Sequence, residues 1–249
     1  SFDLSVRILP QANQQSKNRG TSVADNSVLA NGDWYKIAVD KDGVFKINKT
    51  FLEEMGIDVA SIDPRDIGIF GNGGGMLPER TDAFRHDDLQ ENAIIVQGEN
   101  DGSFDDNDFI LFYGQSPHRW KLDAGSDRYY YENHSYSDQT FYFLTTNMGT
   151  GKRVSQQSSS TSAATQTSTK YDALGVIEDD RENLIQSGRQ WYGDFFDAFI
   201  PNRTYSLNFP NRDDSEPVYI KTNIVARSIG TSSSFTICLL YTSPSPRDE

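Results

Sequence analysis

Residues 97–115 read QGENDGSFDDNDFILFYGQ, with five carboxylates and two asparagine amides between positions 99 and 108 and an aromatic, β-branched run after them. Three readings compete. As a calcium loop, Gly102 takes the glycine place, Gln97, Glu99 and Asp101 the first, third and fifth places, Phe104 the apolar place, Asp105 the ninth and Asp108 the twelfth. That makes Glu99, Asp101, Asp105 and Asp108 candidate ligands of a structural calcium, because a tight glycine turn folds hard oxygen donors around one point. Gln97 is a weak opening ligand, however, and the flanks have strand character where an EF-hand needs helices. As a hairpin loop, the same Asp and Asn side chains accept hydrogen bonds from their own backbone. As a glycosidase pair, two carboxyls must stand about 5–10 Å apart across a sugar, and 36 acidic residues offer too many nominal pairs for sequence to select one. An acidic turn between two strands, with or without calcium, points to a β protein, and the neighbouring sequence agrees.

ENAIIVQG (91–98) and DFILFYGQ (108–115) read as the strands on either side of the turn, and QTFYFLTT (139–146) as another. Residues 67–70 form a strand that ends in GNGGG (71–75). That string follows a strand as a phosphate loop does, but no Lys-Ser/Thr follows it and Pro78 opposes a helix start, so it predicts a turn with several positive-φ positions. DWYKIAVDKDGVFKIN (33–48) predicts a hairpin closed at Asp42-Gly43. KTFLEEMGI (49–57) predicts a short helix with Thr50 as N-cap and Gly56 as the stop.

The expected fold class is mainly β, with β-sandwich or jelly-roll-like domains and two short helices. Residues 1–32 are a short strand and a polar linker, 33–175 an N-terminal β domain, and 176–190 a connecting helix. That helix rests on Val176, Ile177, Leu184 and Ile185 at helical spacing, with Gly188 as its end. YSLNFP, EPVYIKTNIVARSI and SSSFTI make 191–237 the start of a second, truncated β domain. Residues 151–170 are mostly Ser, Thr and Gln; composition suggests disorder, while Thr165, Thr167, Thr169 and Tyr171 keep a period of two, as an exposed strand pair does. The string CLLYTSPSPRD (238–248) is the translation of a transposase-adapter read-through, so 238–249 is expected to be a sequencing artefact. Its Cys238 is the one cysteine of the chain. On that reading the natural piece has no disulfide framework, thiolate metal site or cysteine nucleophile.

Composition narrows the function. Against 36 acidic residues stand 23 basic ones, a net charge of −13, which repels phosphate backbones and excludes nucleic acid as a partner. Nothing approaches the run of apolar residues that a membrane span needs. The chain opens at Ser1 inside an alternating stretch, so the absence of a leader says nothing about compartment. His86, His118 and His134 lack the i, i+4 spacing of a helical metal site and read as surface or turn residues. Trp34, Tyr35, Trp120, Tyr129, Tyr130, Tyr131, Trp191 and Tyr192 either fill the core and rim of a β protein or line a sugar platform.

Several strings occur together and in order: WYKIAVDKDGVFKI, LEEMGID, PRDIGIFGNGGGMLPE, DDLQENAIIVQGENDGSFDDNDFILFYGQSPHRW, NHSYSDQTFYFLTT and NLIQSGRQWYGDFF. With them, residues 33–237 resemble the N-terminal half of the PorU-type sortases of the type IX secretion system, a gingipain-like cysteine peptidase family of Bacteroidetes. The resemblance implies a cell-surface, outer-membrane protein on the extracellular side, which removes the C-terminal secretion signal from exported cargo and attaches the cargo to lipopolysaccharide. It implies a Cys nucleophile and a His base on a caspase-like α/β domain, with an amine resolving the acyl-enzyme. Neither residue has a counterpart in this chain before position 237, so no catalytic residue is assigned and no cofactor is expected beyond the candidate calcium. The implied partners are the peptidase domain of the same protein, secreted cargo and outer-membrane secretion components. A β-sandwich adhesion or carbohydrate-binding module of a secreted surface protein is the alternative.

Overall fold

The computed structural model describes residues 25–158, 166–184, 186, 190–213, 215–226, 230 and 232–240. The chain divides into two units, Ser1–Leu207 and Asn208–Glu249. Among the described residues the first carries all the regular secondary structure: strands β1 (Tyr35–Val39), β2 (Gly43–Asn48), β3 (Gly68–Phe70), β4 (Glu91–Asn92), β5 (Ile95–Gln97), β6 (Phe109–Gly114), β7 (Arg119–Asp123), β8 (Arg128–Glu132) and β9 (Thr140–Thr145), and one α-helix, α1 (Lys49–Glu54). Single 3-10 turns stand at Val28–Ala30, Val59–Ser61, Pro64–Asp66 and Glu99–Asp101.

Three antiparallel sheets result, so the protein is mainly β. Their orders are β1-β9-β3-β4, β2-β6-β5 and β7-β8. The first two share one core: Ile37, Val39, Ile69, Tyr142 and Leu144 from one sheet meet Ile47, Val96, Ile110 and Phe112 from the other. The Phe112 and Tyr142 rings cross at 5.4 Å between centroids, edge to face. This is sandwich packing, in which alternate residues of each strand supply one inner face. Along β9, Thr140, Tyr142 and Leu144 are buried while Phe141 is exposed.

The expected hairpin over 33–48 does not form. β1 pairs with β9 and β2 with β6, so DKDG carries the chain from one sheet to the other. The apolar faces of both runs decide this: a hairpin would place them in one sheet, whereas the arch lets Ile37 and Val39 face Ile47 across the core. Asp42 then ties down the loop after β6 by accepting from the Ser116 amide at 2.8 Å. Similarly, ENAIIVQG is split, with β4 in one sheet and β5 in the other. The helix begins two residues earlier than expected: Asn48 Oδ1, not Thr50, accepts from the Phe51 amide at 3.0 Å, and the helix stops before Gly56 as expected.

Downstream the pattern and the structure part. Within 176–190 the described residues carry no helix, only a single turn in which the Gln186 amide bonds Asn183 O at 3.3 Å, and Ile185 and Gly188 of the expected helix lie outside the described residues; Arg181 and Glu182 donate their amides to Tyr192 O at 3.0 and 2.8 Å, and Tyr192 donates back to Glu182 O at 2.8 Å. Arg181 also bridges Asp179 at 2.6 Å and Asp194 at 3.0 Å. Residues 166–171, the described part of the Thr-rich period, are exposed without regular structure, and Thr165 lies outside the described residues. In 191–237 the described residues form no strand, and in Asn208–Glu249 they form only isolated turns and bends. Cys238 is exposed, and residues 241–249 of the expected artefact lie outside the described part.

Candidate functional site

The acidic stretch is the hairpin loop between β5 and β6, whose register runs Ile95↔Leu111, Val96↔Ile110 and Gln97↔Phe109. Gly102 turns left-handed at φ 78 and Phe104 plugs into the core, as the loop reading requires. The four candidate calcium ligands each already have a partner. Glu99 accepts from Arg153 Nε at 2.8 Å, Asp101 from the Ser103 amide at 3.0 Å, Asp105 from Ser103 Oγ at 3.4 Å, and Asp108 from the Asp105 amide at 2.7 Å. Among the described residues, no three carboxylate, imidazole or thiol groups gather where a metal ion could hold them. The arrangement therefore does not fit a calcium site as it stands, and it does fit a turn whose side chains bond their own backbone.

Arg153 is the residue that sequence reading missed here. Beyond Glu99, its guanidinium donates to the carbonyls of Ile67, Pro64 and Arg65, each at 3.0 Å, and so pins residues 152–154 across the sheet edge. Ile94 N bonds Lys152 O at 3.1 Å and Val154 N bonds Ile94 O at 2.9 Å. No local pattern in the polar run around Arg153 announces it, because its partners lie far back in the chain.

The histidines sort by geometry. His118 Nδ1 accepts from the His134 amide at 3.0 Å, and His134 Nδ1 accepts from the Tyr136 and Ser137 amides at 3.2 and 3.0 Å. Both are turn-fixing groups. His118 Nε2 faces Asp138 at 3.7 Å, and His86 stacks edge-on against Phe84 at 5.1 Å.

β7 and β8 form a hairpin of their own, also missed, although Trp120/Leu122 and Tyr129/Tyr131 alternate around DAGSD in the sequence. Cross-strand pairing puts Trp120 opposite Tyr131 and Leu122 opposite Tyr129, which gives one aromatic face, with Trp120, Leu122 and Tyr129 exposed. On the other face Lys121 Nζ bonds Glu132 at 2.6 Å. Burial pushes the Tyr131 phenol up, with Glu178 and Asp138 adding to the shift. Elsewhere the named aromatics divide: Trp34 packs edge-on to Phe70 at 5.1 Å, Tyr35 lies against the core, and Trp191 is exposed.

A cleft of about 370 Å³ opens past the ends of β3 and β6, beside β4 and the middle of β9, bordered by Gly71, Asn72, Gly73, His86, Gln90, Glu91, Asn92, Ala93, Tyr113, Gln115, Tyr142 and Lys152. GNGGG builds its rim. Gly73 and Gly75 have φ of 78° and 91°, as the sequence predicts, while Gly74 is needed for closeness, since a Cβ there would stand 1.8 Å from Ser116 O. Tyr142 rises from the core to the floor, where its Oη accepts from the Gln115 amide at 3.0 Å, and burial pushes this phenol up. Gln115 Oε1 accepts from the Gly74 amide at 3.3 Å and from Arg119. Asn72 Oδ1 accepts from the Gln90 amide at 3.0 Å, Asn92 Nδ2 donates to Gly71 O at 3.0 Å, and Glu91 Oε1 accepts from the Lys152 amide at 2.5 Å. The walls thus include amides and one carboxylate fixed by the backbone, beside His86, Lys152 and the two tyrosines, an arrangement suited to holding a polar ligand.

No helix among the described residues is long and apolar enough to cross a membrane. No family model matches the chain, and none of the curated proteins matches it. Among solved structures it is similar to the crystal structure of dimeric latent PorU from Porphyromonas gingivalis, at 30% identity, over 58% of this chain and 12% of that one, with a TM-score of 0.46. The chain thus spans about an eighth of that protein's length, the 12% just given.

Proposed function

We propose that this chain is the non-catalytic N-terminal β region of a cell-surface sortase that trims the C-terminal secretion signal from type IX cargo and joins the cargo to lipopolysaccharide. The observation that carries the reading is the ordered set of sequence strings over 33–237, most of which fall on a single two-sheet body and its hairpin: 34–47 on β1 and β2, 87–120 on β4 to β7, and 133–146 on β9. The body accounts for His118 and His134 as turn-fixing groups, in keeping with a supporting rather than a reacting role. Its partners on this reading are the peptidase domain of the same protein, secreted cargo and outer-membrane secretion components, with the exposed aromatic face of β7–β8 as the contact surface. The place of action is the outer face of the outer membrane.

The test is the genomic locus read in frame past position 237. The reading expects an α/β domain with a His and a Cys at the ends of adjacent strands. Another β module in that place overturns it.

A further inference from the structure

The cleft at the GNGGG turn contains polar groups that the fold itself leaves unused. Gln90 Nε2 donates to Asp88 O at 3.1 Å, yet Gln90 Oε1 has no hydrogen-bond partner among the described residues. Asn92 is the same, with its amide nitrogen bonded to Gly71 O and its Oδ1 open, and so is Glu91, with Oε1 on the Lys152 amide and Oε2 open. Tyr113 is 55% exposed, and its hydroxyl also lacks a partner among the described residues. Lys152 Nζ reaches Glu91 O at 3.3 Å and keeps further protons. Gln90 is therefore oriented by one backbone bond and Asn92 by two, to Gly71 O and Gln90 O, and each presents its oxygen, so the ordering cost is already met in the free protein.

This mixture selects a ligand class. Open acceptors and open donors line one cleft, and a hydroxyl group satisfies both at once. The Glu91 carboxylate and the chain's net charge of −13 oppose an anion. An added peptide strand is opposed because Ile94, between β4 and β5, already bonds Lys152 O and the Val154 amide, and Glu91 O already accepts from Lys152 Nζ. The volume of about 370 Å³ lies near the lower end of the ~300–1,000 Å³ common for small-ligand sites. The exposed Tyr113 ring at the rim offers an apolar face for the C–H side of a pyranose.

We propose that this cleft binds a neutral mono- or disaccharide, with Gln90, Glu91, Asn92 and Lys152 bonding its hydroxyls and Tyr113 stacking on a ring. The site stands independently of the sortase reading, and either one can fail without the other.

The experiment is saturation-transfer difference NMR on the full chain with D-glucose, D-galactose, D-mannose, N-acetyl-D-glucosamine, lactose and cellobiose, each at about 5 mM, where millimolar affinities register. At least one sugar is expected to give signal. Its Kd is expected to rise about fivefold or more in Tyr113→Ala and in Gln90→Ala, both exposed positions whose truncation leaves the core intact, and to stay unchanged in Val44→Ala, the exposed residue opposite Tyr113 in register. Amide shift changes centred on Gly71 and Gly73 would support the same placement. No signal from any of the six sugars overturns the proposal, and so does binding that both cleft variants leave unchanged.

Discussion

β9, TFYFLT, and residues 217–226, PVYIKTNIVA, are both rich in β-branched and aromatic residues, and only one is a strand. β9 lies between β1 and β3, hydrogen-bonded on both sides, with Tyr142 and Leu144 in the core at 1% and 0% exposure. In 217–226 no residue is in a strand, and Val218, Tyr219 and Ile220 are 51%, 64% and 53% exposed. The difference teaches that strand propensity is mostly a statement about fitting a half-buried pleated surface, and that it needs a partner to act on. In β9 the partners are supplied by segments more than seventy residues away in sequence, through the pairing of Leu144 with Tyr35 and Ile69.

The sharpest way to break this comparison is to truncate one apolar side chain in each region. Leu144→Ala is expected to cost about 3 kcal/mol, the middle of the range for a buried leucine, while Ile220→Ala stays within about 0.5 kcal/mol of the parent. Urea unfolding midpoints at constant m-value decide it. Equal losses at the two positions would mean that 217–226 is packed in solution as tightly as β9. Arg153→Met comes next, at about 2 kcal/mol, because it leaves Glu99 and the carbonyls of Ile67, Pro64 and Arg65 without their shared donor. A change under about 0.5 kcal/mol would show that water replaces the guanidinium without loss, and that the polar edge of the body is no firmer than the downstream segment.

Local signals in the sequence were legible where a short stretch decides its own shape. The acidic loop between β5 and β6, the strand at residues 67–70, the glycine turn after it and the stop at Gly56 all follow from residues that are neighbours in the chain. What was not legible depends on distant partners. DKDG has the composition of a hairpin turn, yet β1 is drawn to β9 and β2 to β6, because burial on two facing sheets outweighs a local turn preference. Val176, Ile177 and Leu184 have helical spacing but are exposed or half-buried, with no described helix burying them together, and Ile185 lies outside the described residues. Of the candidate site, GNGGG marked the rim, but nothing local linked it to Gln90, Tyr113 or Lys152.

Carboxylate titration sharpens the comparison with opposite signs. In the body, hydrogen bonds from the Arg65 side chain and amide hold Asp63 down at about 2. Downstream, Glu178 is pushed up by partial desolvation and by the neighbouring Asp180 and Asp179 carboxylates. The Asp63 contribution to stability is present above the unfolded value of ~3.9 and is lost as pH falls from there through about 2. The Glu178 contribution runs the other way: it is present below the unfolded value of ~4.3 and is lost as pH rises through the raised value. Carbon-13 shifts of the two carboxyls against pH should show Asp63 titrating well below Glu178, and coincident midpoints would contradict both assignments.

The smallest effect expected is that of calcium. A hard cation binds when several oxygens converge with lone pairs to give, and affinity rises with the number of charged ligands. In the β5–β6 loop Glu99 faces a guanidinium, while Asp101 and Asp108 accept backbone amides that hold the turn. Capturing an ion would require breaking those bonds, so the ion would have to replace the stabilisation they provide before it added any. Isothermal titration of the chain with calcium up to about 1 mM, the weak end of known protein sites, is therefore expected to give no binding heat, and the melting temperature should not move. Arg153→Met supplies the decisive variant, because it frees Glu99 from its partner. Heat appearing only in that variant would show that the ion pair is what keeps this loop from binding calcium, whereas heat in the parent chain would show that the loop opens readily and that its backbone bonds are weaker than their geometry implies.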